Sequence, residues 1–170
     1  MIALPWTTQV HVDGVSAGEA HALAEIHADA FRRTWSAHDF SSLLADPSVF
    51  ALAARLRTFF GARRVVGFVL VRFAADEAEI LTIAVRARYR RRGYGRVLMD
   101  DVIRRLYRER IARLFLEVDR ANKAAVGLYR SLGFIVAGER KNYYPASKAG
   151  AKAQSQLGDG SALVMRLQVR

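Results

Sequence analysis

The chain contains no cysteine, which excludes disulfides, thiolate metal sites and a cysteine acyl-enzyme. It lacks long hydrophobic runs as well: the longest, such as Val65 to Val71, are the length of a strand and far short of a bilayer span, so no membrane role is expected. The opening residues, MIALPWTTQVHVDG, show no basic segment followed by an apolar one, so no secretory signal is expected and the cytoplasm is the predicted location. The four histidines, His11, His21, His27 and His38, fall into no ligand spacing such as HExxH. Each is expected at the surface, and no metal is assigned. There is no internal repeat and no linker, and 170 residues suit one compact domain better than two.

Acidic residues are also in short supply. Lys and Arg number 27 against 16 Asp and Glu, and the resulting charge of +11 points to a polyanionic neighbour: nucleic acid, a ribonucleoprotein or an anionic cofactor. Many arginines, including Arg104, Arg105 and Arg108, are expected only to solvate helix faces. The balance of 52% hydrophobic and 25% charged residues is ordinary for a globular protein.

What is present is organised around Glu79 to Leu98, EILTIAVRARYRRRGYGRVL. A β-branched apolar run passes through an arginine cluster and two close glycines into a helical pattern, which reads as strand, anion-cradling turn and helix. A helix start leaves backbone N–H groups without partners and carries the positive end of the helix dipole, so phosphate suits it.

Around this stretch the pattern predicts a short strand at Val10 to Val12, then a helix from Ala17 to Phe31 opened by the Ser16–Glu19 capping box. A second helix is capped at Ser36 and ended by Pro47. Strands follow at Val49 to Ala54, Val65 to Phe73 and Ala78 to Val85, in an antiparallel meander. A helix from Gly95 to Arg110, with Leu98, Val102, Ile103, Leu106 and Tyr107 on one side, leads to a strand at Arg113 to Val118 and so to a parallel βαβ pair. Asn122 caps a further helix whose apolar face is Ala125, Leu128, Tyr129 and Leu132, stopped by Gly133. The last strands are expected at Phe134 to Ala137 and Ala162 to Val169, with a small, polar loop from Ala146 to Gly160 between them.

Three stretches together resemble the GNAT superfamily of acyl-coenzyme-A-dependent N-acetyltransferases: Arg90-Arg91-Arg92-Gly93-Tyr94-Gly95, matching its R/Q-x-x-G-x-G/A signature, LEVDRANKAAVGLYRSLGF from Leu116 to Phe134, and RKNYYP from Arg140 to Pro145. The second and third resemble the RimI-type branch, which acetylates the N-terminal alanine of a small-subunit ribosomal protein. The loop from Ala146 to Gly160 is longer than that branch's, and Ser161 stands where it has an acidic residue. The resemblance implies a single-domain α/β GNAT fold over residues 1–170, its sheet mixed and mostly antiparallel, with a splayed central strand pair and flanking helices. It implies acetyl-CoA as co-substrate, with Ile83, Ala84 and Val85 on the reactive arm and the backbone of the turn (Arg90, Arg91, Arg92, Gly93, Tyr94, Gly95 and Arg96) on the pyrophosphate. Asn122 matches a coenzyme A contact, and Glu117 and Tyr129 match the base and the acid.

The chemistry needs both roles. An amine is mostly protonated at neutral pH, so a base must remove a proton before it attacks. An α-amine of pKa about 7.7 to 8.0 needs about one unit of help at pH 7, and a lysine of about 10.4 roughly three, so a modest carboxylate suits an N-terminus. A protonated tyrosine donates to the departing thiolate.

Each residue also has a plainer reading: Glu117 as a surface carboxylate, Tyr129 as a packed core residue, Asn122 as a helix cap alone. Two other functions stay open. One is a GNAT enzyme acting on a lysine, a polyamine or a small-molecule amine. The other is a basic ribosome- or RNA-binding protein without catalysis, although no RNP-like aromatic stripe accompanies Arg86, Arg88, Arg90, Arg91 and Arg92.

Overall fold

Seven strands form one sheet among the described residues, 10–57, 61–141 and 160–170 of a computed structural model. They are β1 (Val10–Gly14), β2 (Val49–Arg57), β3 (Arg63–Ala74), β4 (Glu77–Val85), β5 (Arg113–Asp119), β6 (Ile135–Arg140) and β7 (Ala162–Gln168). The helices are α1 (Ala20–Ala30), α2 (Ala37–Ala45), α3 (Tyr94–Arg108) and α4 (Lys123–Ser131). The sheet order is β1-β2-β3-β4-β5-β7-β6. Pairing is antiparallel for β1 with β2, β2 with β3, β5 with β7 and β6 with β7, and parallel for β4 with β5, so the sheet is mixed and mostly antiparallel. The parallel pair is the one joined through α3, because a parallel neighbour requires a crossover. Its ladder runs only from the Glu77–Arg113 pair to the Ile80–Leu116 pair, within a strand of 9 residues. No helix among the described residues is long and apolar enough to cross a membrane.

The chain divides into two compact units, Met1–Phe73 with Leu81–Arg105, and Ala74–Ile80 with Leu106–Arg170. In the first, Leu23 and Ile26 of α1, Phe40 of α2, Phe68 and Leu70 of β3 and Ala84 of β4 build one buried cluster. Phe40 and Phe68 meet edge to face at 5.4 Å. Burial of each such side chain stabilises by roughly 1.5 to 3 kcal/mol. Both capping boxes form: the Ser16 N–H donates to Glu19 at 2.9 Å and the Ser36 N–H to Asp39 at 2.7 Å. Arg55 is buried and fastens β2 to β1 and the first turn, donating to Asp13, to Glu19 at 2.5 Å and to the Gly14 carbonyl at 3.1 Å. The Arg55 guanidinium holds the Glu19 carboxyl below its usual range.

Three expectations are corrected. His27 is not at the surface but 3% exposed, because helical spacing sets it beside Leu23 and Ile26. Its Nδ1 accepts the Trp35 N–H at 3.3 Å, its ring stacks on Trp35 at 5.0 Å, and burial depresses its pKa. Arg105 does more than solvate α3, since its guanidinium sits 3.9 Å over the Phe50 ring. Tyr107 is 59% exposed, and Met99 joins Leu98, Val102 and Leu106 in the buried set of α3 instead.

In the second unit the β5–β7–β6 ladders sort the side chains onto two faces. Leu116 and Val118 share a face with Met165 and Leu163 of β7 and with Val136 and Glu139 of β6. Helix α4 covers it, for its Lys123, Val126, Gly127 and Arg130 line one pocket with Val136, Glu139 and Leu163. The buried residues of α4 are Val126 and Tyr129, a narrower face than expected and shifted by one residue. The opposite face carries Phe115, Glu117 and Asp119 of β5, Arg166 of β7 and Arg140 of β6. The Tyr143-Tyr144-Pro145 stretch and the expected loop, save Gly160, lie outside the described residues.

Candidate active site

In the first unit, β4 ends in alternation: Ile83 and Val85 are half-buried while Thr82 and Ala84 are buried. Gly67 of β3 makes room for it, since a Cβ there would lie 2.9 Å from the Ala84 carbonyl oxygen and 3.0 Å from Val85 Cγ2. The Arg86 N–H donates to the Val66 carbonyl at 2.8 Å, so β4 is held against β3 to its end.

The turn that follows takes two left-handed residues, Arg91 at φ 61° and Gly93 at φ 84°. Helix α3 starts at Tyr94, and the Val97 N–H bonds the Gly93 carbonyl at 3.1 Å. The N–H groups of Tyr94 and Gly95 therefore precede the helical ladder and are open to an acceptor from outside. A Cβ on Gly93 would meet nothing within 4 Å, so the backbone stands open there.

The side chains of the turn have other partners. Arg90 donates to the Val85 carbonyl at 3.1 Å and to the Asp29 carbonyl at 3.0 Å, tying the turn to β4 and α1. Arg86 donates to the Val65 carbonyl at 3.1 Å and pairs with Glu25 at 3.3 Å. Arg88 and Arg92 lie over the Tyr89 ring, at 4.8 and 5.7 Å. The open N–H groups at the head of α3 are what a phosphate group needs, so this half fits the pyrophosphate of acetyl-CoA. Thr82 adds a buried hydroxyl oxygen with no hydrogen-bond partner, beside Ile83.

In the second unit, Glu117 projects from β5 with its side chain 22% exposed, and its Oε1 accepts from Arg140 Nε at 3.2 Å. Tyr129 is 5% exposed on α4, against Phe134 at 5.7 Å, and burial pushes its pKa up to about 12. It is a protonated donor across the physiological range. Glu117 and the helix bearing Tyr129 lie on opposite faces of β5, so the structure does not pair the two residues with each other. Asn122 caps α4, its Oδ1 accepting the Ala125 N–H at 3.1 Å, which leaves the amide NH2 for other partners. No cluster of metal-ligating side chains occurs among the described residues.

Sequence reasoning missed Gly67, Thr82 and a role for Arg140. An isolated glycine in VVGFVLV and a lone hydroxyl in ILTIAV are the signals for the first two. Nothing local marks the third, because Arg140 reaches Glu117 only through the β7 register.

A mixed sheet with one parallel crossover pair, and a turn with two left-handed residues heading the crossover helix, defines the α/β class of the protein. The profile described as Acetyltransferase (GNAT) family matches residues 20–134, and the chain belongs to that family. Among its relatives, the Escherichia coli K12 [ribosomal protein bS18]-alanine N-acetyltransferase is 42% identical over 84 residues, 49% of this chain and 57% of that enzyme. Its Salmonella typhimurium LT2 counterpart is 37% identical over 106 residues, 62% of this chain and 66% of the relative. The matched region thus spans little more than half to two thirds of these curated relatives. The crystal structure of the Escherichia coli S18-alanine enzyme superposes with a TM-score of 0.78 at 30% identity, over 95% of this chain and 94% of that one. Arabidopsis thaliana NAA60 in complex with acetyl-CoA shares the fold, with a TM-score of 0.75 at 17% identity over 94% of this chain and 98% of that one.

Proposed function

We propose that the chain is an N-α-acetyltransferase that moves the acetyl group of acetyl-CoA directly to the N-terminal amine of a protein, with the N-terminal alanine of ribosomal protein bS18 as the favoured acceptor. The observation that carries the reading is Glu117, a half-buried carboxylate on the strand where the family places a base, with its Oε1 held by Arg140. The names of the bS18-alanine relatives support the acceptor. Absence of cysteine supports direct transfer in a ternary complex over an acyl-enzyme.

Acetyl-CoA supplies an activated acyl carbon and a sulfur leaving group. The open N–H groups of Tyr94 and Gly95 hold its pyrophosphate, Ile83 to Val85 its reactive arm, and the Asn122 amide assists. The Glu117 carboxylate takes the proton from the acceptor amine, directly or through a water. The family resemblance assigns Tyr129 the phenolic hydrogen offered to the leaving sulfur, although Tyr129 lies across β5 from Glu117. At a pKa of about 12 it works first as a hydrogen-bond donor, because complete transfer to a thiolate with a reference pKa near 8.5 is uphill.

Glu117→Gln is expected to lower turnover by about 10²- to 10⁴-fold, the usual scale of general-base catalysis, with acetyl-CoA affinity unchanged in calorimetry. A fully active variant with the parent pH profile removes Glu117 from the role. Tight RNA binding without any acetyl-CoA signal would replace the whole reading with that of a basic RNA-binding protein.

A further inference from the structure

Arg140 opens the RKNYYP stretch, but nothing in that stretch places its side chain at Glu117. It belongs to β6, an edge strand two places from β5, yet its Nε reaches Glu117 Oε1 at 3.2 Å. The register explains how: Arg140 pairs with Ala162 and Ala162 with Asp119, so Arg140 falls on the Glu117 face, one step along β5. The other charged groups on that face are Arg113 and Asp119 on β5, Arg166 on β7, and Glu77 and Glu79 on β4, opposite Arg113 and Phe115; Arg113 pairs with Glu77 at 3.1 Å. Asp119 Oδ1 accepts the Ala121 N–H at 2.7 Å. Arg166 is in register with Phe115, one step away from Glu117 in the other direction.

We propose that Arg140 is a positioning and selectivity residue that turns the Glu117 site from an anionic one into a neutral pair, so that it takes amines in their uncharged form. The inference rests on Glu117 being the base. An isolated carboxylate attracts an ammonium ion and stabilises its proton, which opposes the deprotonation the reaction needs. With Arg140 beside it the pair has no net charge. The guanidinium engages Oε1 of Glu117, and it disfavours a second cation at the same place. Amines that are easily neutral, with pKa values of about 7.7 to 8.0, are then favoured over lysine side chains near 10.4. The selectivity for N-termini is set by charge, besides any contact with the peptide.

The test compares Arg140→Gln and Arg140→Lys with the parent on two peptides, one with a free N-terminus and no lysine, the other with a blocked N-terminus and one lysine. Without the cation, the bound amine keeps its proton more readily beside the lone carboxylate. The ascending limb of kcat against pH, which reports groups in the bound complex, therefore moves upward in Arg140→Gln, by about half a unit to one unit given the exposure of the pair. The preference for the N-terminal peptide falls by several fold. Arg140→Lys, which keeps the charge, restores most of both, and the dissociation constant for acetyl-CoA is the same in all three proteins. An unmoved profile with an unchanged preference overturns the proposal. Glu117→Gln measured alongside separates the two failures: if it is inactive while Arg140→Gln behaves as the parent, only Arg140 loses its role, whereas a fully active Glu117→Gln removes the base and this inference with it.

Discussion

At the scale of single residues, burial decides protonation. Tyr129, at a pKa of about 12, should give a basic limb in turnover well above the ordinary tyrosine value near 10, and Tyr129→Phe should lower turnover at neutral pH by about tenfold or more. Its raised value also bears on stability: the folded state holds this proton more tightly than the unfolded chain does. The contribution is complete below pH 10 and is lost as pH climbs toward 12, so alkaline melts of the parent should fall further in that window than those of Tyr129→Phe. His27 has the opposite sign. Its depressed pKa means the unfolded chain binds the proton more readily, so its contribution is present above about pH 6.5 and disappears as pH falls through the lower folded value. Melting temperatures between pH 7 and pH 5 should drop more in the parent than in His27→Gln. The Leu23–Ile26–His27 spacing already placed this histidine inward; the expectation of a surface residue came from judging it as a possible ligand and not as a member of its helix.

At the scale of elements, the site depends on how closely β4 lies against β3. Gly67→Ala forces a Cβ into the Ala84 carbonyl and Val85, the residues assigned to the reactive arm of the co-substrate. It should destabilise the protein by about 1 to 3 kcal/mol and weaken acetyl-CoA binding in calorimetry. Gly127, inside α4 with nothing within 4 Å of a Cβ, is the contrasting case: Gly127→Ala should stabilise by roughly 0.5 to 1 kcal/mol and leave acetyl-CoA binding alone. Equal binding in the parent and Gly67→Ala would detach the strand from the donor site. The elements were legible because their signals are local: the Ser16 and Ser36 capping boxes and the Asn122 cap formed as read. Faces were less legible. Met99 stands at helical spacing to Val102, Ile103 and Leu106, inside the stripe, and is buried, while Tyr107 sits at the edge of the stripe and is exposed.

At the scale of the whole molecule, the sheet order is what brings distant residues together, and it is the part the sequence states least. The β4–α3–β5 crossover follows from connection rules, but the insertion of β7 between β5 and β6, which lets Arg140 meet Glu117, is a pairing between segments far apart in the chain. Arg55, held by two carboxylates, and Arg90, held by two carbonyls, are committed to internal partners, so the count of arginines is by itself a poor guide to a nucleic-acid partner. The central claim is acetyl transfer to a protein N-terminus with Glu117 as base. Its most direct test is to incubate the protein and Glu117→Gln with isotopically labelled acetyl-CoA and purified small-subunit ribosomal proteins, and to locate the label by mass spectrometry. The expected result is label on an N-terminal alanine with the parent and almost none with Glu117→Gln; label confined to lysine side chains, or equal labelling by both proteins, would contradict it.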